Sequence, residues 1–173
     1  MRGFARIFVL TAIAVGVLAL PLGASAAPAS TTFSIVGYEY AFTQTVGNFA
    51  GTGAGNAGDT AVWNTSVQHD ALGSTPTYVN GGTFQMATHG PGGFDTVDGT
   101  FAYHGGTITN ITPGTNCTNQ QYLVTGTLEN VTTTDTAGGS GSFSAVLTHY
   151  RYSLLGHCII YKARVAGSVS FVY

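Results

Sequence analysis

Two long runs of period-two alternation close this chain, Phe143 to Tyr152 and His157 to Tyr173, with Leu154 to Gly156 between them as a turn. Alternation at that period puts successive side chains on opposite faces of an extended strand, so the stretch predicts an antiparallel hairpin. In the first run Phe143, Ala145 and Leu147 share one face while Val146, Tyr150 and Tyr152 share the other. In the second, Ile159, Tyr161, Ala163, Val165, Val169, Phe171 and Tyr173 form one phase, and Cys158, Lys162, Arg164, Ser168 and Ser170 the other. The second run is too long for one ordinary flat strand. Gly167 is expected to bend it so that it can pair on two sides, as barrels and sandwiches allow.

Six further strands are read upstream: Ser30 to Phe42, Ala61 to Gln68, Thr83 to His89, Phe94 to His104, Thr107 to Ile111 and Gln121 to Thr132. In the first of these, Phe33 and Ile35 occupy one phase and Val36, Tyr38, Tyr40 and Phe42 the other. A phase switch beside Gly37 therefore predicts a bulge or bend that leaves Glu39 exposed. Residues 43–60 are glycine-rich with almost no alternation and are read as a plain connection; His69 to Gly82 is read as turn-rich. Trp63, the only tryptophan, is expected in the core.

A glycine, then Thr or Ser, then an apolar residue recurs at Gly82-Thr83-Phe84, Gly99-Thr100-Phe101, Gly106-Thr107-Ile108, Gly126-Thr127-Leu128, Gly141-Ser142-Phe143 and Gly167-Ser168-Val169. The spacing is too irregular for a solenoid or a propeller but suits successive strands of one meander. These strand starts resemble those of secreted eight-stranded barrels such as dirigent proteins and allene oxide cyclases. The resemblance implies a barrel and carries over no catalytic residue. The expected fold class is all-β, a single antiparallel eight-stranded β-barrel or β-sandwich, with the barrel favoured.

At the N-terminus, Arg2 and Arg6 precede an apolar run from Ile7 to Leu22 and the small residues Ala24-Ser25-Ala26. The run is shorter than the roughly 20 residues of a membrane span, so residues 1–26 read as a cleaved signal peptide. Residues 27–173 are then a single secreted all-β domain with no stable membrane insertion. Without Arg2 and Arg6, three basic residues remain against seven acidic ones. Nucleic acid is thereby disfavoured as a partner, because neutralising phosphates takes several clustered Lys or Arg side chains. Cys117 and Cys158 are the only cysteines, and export makes a disulfide between them the expected state.

The remaining basic residues, Arg151, Lys162 and Arg164, all fall in the terminal hairpin with His149, Tyr150 and Tyr161. These six residues are the candidate ligand-binding set, suited to an anionic group flanked by aromatic rings. The five histidines show no ligand spacing, and each is read as a turn or surface residue; no metal or cofactor is expected. No Gly-x-Ser-x-Gly elbow is present, and a glycosidase pair among Glu39, Asp95, Asp98 and Glu129 is weaker than ordinary solvated carboxylates. The expected function is non-catalytic binding of a small apolar, anionic or glycan ligand by a cavity or the surface. The alternatives are a cyclase- or isomerase-like enzyme with a polar cluster in a barrel cavity, drawn from Glu39, Tyr103, His104 or Arg151, and a structural cell-envelope protein.

Overall fold

A computed structural model describes residues 30–91, 93–112 and 117–172. The expected signal peptide, the Pro113-Gly114 turn and Tyr173 lie outside the described residues. Nine strands follow in order: β1 (Ser30–Phe42), β2 (Val46–Gly55), β3 (Thr60–His69), β4 (Thr77–Gly90), β5 (Gly93–Phe101), β6 (Gly106–Thr112), β7 (Gln120–Thr133), β8 (Gly139–Leu154) and β9 (His157–Val172). All pairings are antiparallel. β1 pairs with both β2 and β9, and β3 pairs with β4, so the sheet closes on itself. The fold is a barrel, not a sandwich.

Nine strands fill eight positions. β5 and β6 share the place between β4 and β7, end to end: β5 faces Thr83 to Gly90 of β4, and β6 faces Thr77 to Val79. Both also pair with β7, β5 near Leu128 to Thr133 and β6 near Gln121 to Val124. Residues 102–105 leave the sheet between them. The excursion is held by Ala102 N–H to Thr127 O at 2.9 Å and Thr127 N–H to Gly105 O at 3.0 Å. Opposite it, β4 turns sharply at Gly81 and Gly82, whose φ values are 147° and 124°. A side chain at Gly82 would meet both that backbone strain and the Ser66 carbonyl oxygen.

The inside of the barrel is a single apolar core. Phe84 lies at its centre, stacked on Trp63 at 6.2 Å and touching Phe171 at 5.8 Å and Phe143 at 6.4 Å between ring centres. Trp63 is buried as expected, and its indole N–H donates to Thr52 O at 3.0 Å. That bond satisfies the one polar atom of the indole.

Two expectations change here. Residues 46–55 form β2 and are not a plain connection. Their inward phase is Gly47, Phe49, Gly51, Gly53 and Gly55, so hydrophobic alternation is nearly absent although the backbone is a regular strand. The glycines let neighbours fill the space: a Cβ on Gly47 would lie 2.7 Å from the Phe49 ring and one on Gly55 3.0 Å from the Phe33 ring, and on the paired strand β1 a Cβ on Gly37 would lie 2.6 Å from Cζ2 of Trp63. The same packing removes the predicted phase switch in β1. Phe33, Ile35, Gly37 and Glu39 all face inward, while Val36, Tyr38 and Tyr40 are exposed outside. The irregularity in β1 falls later, between Glu39 and Ala41.

Candidate functional site

Alternation along β8 and β9 decides where the hairpin's polar residues go. Tyr150 pairs with Lys162 and Arg151 with Ile160, so Tyr161 is an extra residue, a β-bulge. It reverses the phase of β9. Ala163, Val165, Val169 and Phe171 face the core as expected, but Ile159 and Tyr161 point away from it and are exposed.

The six candidate residues consequently do not form one site. His149 shares the inward phase of Phe143, Ala145 and Leu147 and is buried. Arg151 continues that phase at the rim. Its Nε–H donates to Thr118 O at 2.9 Å, and its backbone N–H donates to Asn119 Oδ1 at 3.1 Å. Residues 117–119 are held there by the Cys117–Cys158 disulfide, whose Cα atoms are 5.3 Å apart. Nearby Tyr122 is half-buried, and burial pushes its hydroxyl above the usual range, with the Arg151 charge acting in the opposite sense.

The other four, Tyr150, Tyr161, Lys162 and Arg164, stand together on the outer wall. Arg164 lies opposite Tyr38 of β1, so the patch spans β8, β9 and β1. Lys162 Nζ sits 4.9 Å from the centre of the Tyr38 ring and 5.8 Å from that of Tyr150. Tyr161 contacts Tyr150 at 6.3 Å and Tyr152 at 5.7 Å. Three of these rings are exposed, Tyr38 at 50%, Tyr152 at 43% and Tyr161 at 62%. Among the described residues, neither Lys162 nor Arg164 meets a carboxylate. An ammonium over a tyrosine face gains about 0.5–1 kcal/mol when exposed and keeps its full charge for a further partner. The arrangement offers aromatic faces and two cations on one sheet surface.

A second polar group lies inside; of the residues named for a cavity cluster it contains Glu39, joined by His149. Glu39 faces inward from β1 and His149 from β8; Glu39 Oε2 and His149 Nε2 are 3.4 Å apart, with side chains only 6% and 8% exposed. The histidine nitrogen makes no hydrogen bond there. Both line a cavity of about 50 Å³ with His69, Phe42, Thr43, Phe49, Leu72 and further apolar side chains. Two expectations are overturned by this cavity. Glu39 is not on the exposed side, and His69 and His149 are not surface histidines. The parity of His149 with Leu147 was available as a signal; that of Glu39 was hidden by Gly37.

His69 and His104 make their contacts with groups other than carboxylates. His69 Nδ1 donates to the Asp70 backbone carbonyl at 2.6 Å, not to its carboxylate. Asn80 Nδ2 at 2.8 Å and the Tyr78 backbone N–H at 2.9 Å donate to that carboxylate and hold Asp70 below its ordinary value near 3.8. His104 stacks between Tyr78 and Tyr103, at 4.6 and 4.0 Å. Of the other carboxylates, Asp98 and Glu129 lie on the outward phases of their strands, and Asp95 caps the Thr96 and Thr134 amides at the barrel end away from Glu39. Among the described residues no second carboxylate faces Glu39 in its cavity. Among the described residues no three His, Cys, Asp or Glu side chains group closely enough to hold a metal ion.

The fold and these two sites define the class of the protein as a closed antiparallel barrel with a filled core, one polar cavity and one aromatic, cationic outer face. Comparison with known protein families, with curated proteins and with solved structures finds no match for the chain.

Proposed function

We propose that residues 27–173 act outside the cell, after removal of residues 1–26, as a non-catalytic barrel that binds an acidic glycan on its outer tyrosine face. The observation that carries this reading is the placement of Lys162 and Arg164, free of carboxylate partners among the described residues, within a wall of exposed tyrosines. Tyrosine rings present flat, rigid apolar surface to the C–H faces of sugar rings at low entropy cost. Lysine and arginine supply charge-assisted hydrogen bonds to uronate or sulfate groups. A long polymer can use several rings along β1, β9 and β8 at once.

Two further features support this reading. The Cys117–Cys158 disulfide suits an oxidising compartment. The outward phase of β8 carries hydroxyl side chains at Ser142 and Ser144, while Phe143, Ala145 and Leu147 face inward. That distribution suits a barrel surrounded by water and is the reverse of a membrane barrel.

The test is calorimetric titration with polygalacturonate against neutral dextran. Binding is expected for polygalacturonate alone and should weaken as salt rises. The double variant Lys162→Ala/Arg164→Ala should lose roughly tenfold or more in affinity, since each charge-assisted contact is worth about 1.5–3 kcal/mol. Equal affinity for the neutral polymer, or full affinity in the double variant, would refute the proposal.

A further inference from the structure

The Glu39 cavity has a chemistry of its own, separate from the outer face. A carboxylate held inside an apolar barrel is costly unless something compensates it. Here compensation is incomplete. Among the described residues no lysine or arginine lines the cavity, and His149 Nε2 is 3.4 Å away and out of hydrogen-bonding alignment.

His69 adds a second acceptor. A carbonyl oxygen can only accept, so the 2.6 Å contact with Asp70 O means that His69 Nδ1 carries the proton. A neutral His69 ring then presents Nε2 as a lone pair, and no described group donates to it. The cavity therefore offers acceptors and apolar wall. Among the described residues its donors are the Thr43 hydroxyl and the His149 ring, with no lysine or arginine.

Its size limits the occupant. About 50 Å³ holds roughly three or four water molecules, enough for a head group but not for a drug-sized molecule. The cavity also reaches the barrel end. Phe42 and Leu72, which line it, are exposed at 62% and 42%, so an apolar tail can leave between them and remain in contact with both.

From these features we infer that the barrel mouth is a binding site for a small alkylammonium ion: the ammonium enters beside Glu39, His149 and His69, and the alkyl tail lies against Phe42 and Leu72. An ammonium supplies several N–H donors and the positive charge that the buried carboxylate lacks. The site shares no side chain with the tyrosine face, so either can fail without the other.

The test uses n-hexylamine, with n-hexanol as the uncharged control of equal length, on the whole disulfide-bonded protein near neutral pH. The readout is the imidazole resonances, followed by NMR during titration. Hexylamine is expected to move the signals of His69 and His149 saturably while leaving His89 and His157 unmoved. Hexanol should bind at least tenfold more weakly. Shortening the amine to butylamine should cost roughly fourfold per methylene removed if the tail packs as described. Glu39→Gln, which keeps the side chain's shape, should abolish the preference for amine over alcohol.

Equal affinity for hexylamine and hexanol would overturn the ammonium assignment. Perturbation of all the histidines alike, or no saturable shift at His69 and His149, would overturn the site. These comparisons are made on the unaltered protein, so the conclusion stands even if Glu39→Gln does not fold.

Discussion

Gly51 and Gly53 stand two residues apart on the inward phase of β2, in the same local sequence, and the structure predicts opposite fates for alanine at each. Neither has a left-handed φ, so local backbone preference treats the two alike. In both cases alanine also reduces the freedom of the unfolded chain, a gain of about 0.4–1 kcal/mol. The packing differs. A Cβ on Gly53 would meet Ser34 O at 3.3 Å, Cγ2 of Ile35 at 3.4 Å and Cβ of Ala61 at 3.5 Å, a tight fit relieved by a few tenths of an ångström. A Cβ on Gly51 would run into the Val36 carbonyl oxygen and lie 2.6 Å from Cα of Gly37. Both are backbone atoms of the paired strand, so β1 and β2 must separate to admit it. Overpacking of this kind costs about 1–3 kcal/mol, and the rigid partner places it at the upper end. After the entropy gain, Gly51→Ala should destabilise by about 2 kcal/mol, whereas Gly53→Ala should stay within about 0.5 kcal/mol of the parent. At a typical 3–4 °C per kcal/mol for a domain of this size, the two melting temperatures should differ by about 7 °C. Urea and thermal unfolding followed by circular dichroism, with the disulfide intact, make the comparison. Equal stabilities, or Gly53→Ala the weaker, would refute the argument that β2 is glycine-rich because β1 occupies its side-chain space.

Two other outcomes follow from the same geometry. The Cys117–Cys158 bridge spans 41 positions, so replacing both cysteines by serine should lower stability by about 4 kcal/mol in the loop-closure model. Intact-mass analysis after alkylation should find no free thiol until reductant is added; alkylation of the unreduced protein would refute the bridge. Asp70 is held below its ordinary value by the Asn80 and Tyr78 bonds, so its contribution is present above about pH 3.8 and fades as pH falls through its lower folded value. Protection of the Tyr78 amide, its exchange rate relative to an unfolded chain at the same pH, should fall in that acid window in the parent. Asp70→Asn should already exchange faster at neutral pH, and an unchanged profile there would count against the bond.

Hydrophobic alternation is a local record of which face a strand buries, and it was readable wherever inward positions carry side chains. β3, β7, β8 and the second half of β9 were recognised for that reason: Trp63, Val67, Leu128, Phe143 and Val169 are apolar and alternate with hydroxyl or amide residues. β2 escaped notice because glycine at an inward position records the volume of a neighbour, here the Phe49 and Phe33 rings and the β1 backbone, and not its own burial. The outer tyrosine cluster was half legible. Tyr150, Tyr161, Lys162 and Arg164 were singled out, but Tyr38 comes from more than a hundred residues upstream and joins only through the β1–β9 pairing.

The sequence by itself determined the strand content, the antiparallel terminal hairpin, the cysteine pair and the scarcity of charge, because each is a property of residues close together or of composition. Tertiary structure alone decided closure into a barrel, the end-to-end sharing of one position by β5 and β6, and the faces on which Glu39, Tyr161 and His149 lie. Those outcomes depend on register. A single bulged residue at Tyr161, or a glycine at 37 that yields its space to an indole, changes which side of the sheet a residue occupies. That placement is what puts one carboxylate inside the barrel and two cations on its tyrosine wall.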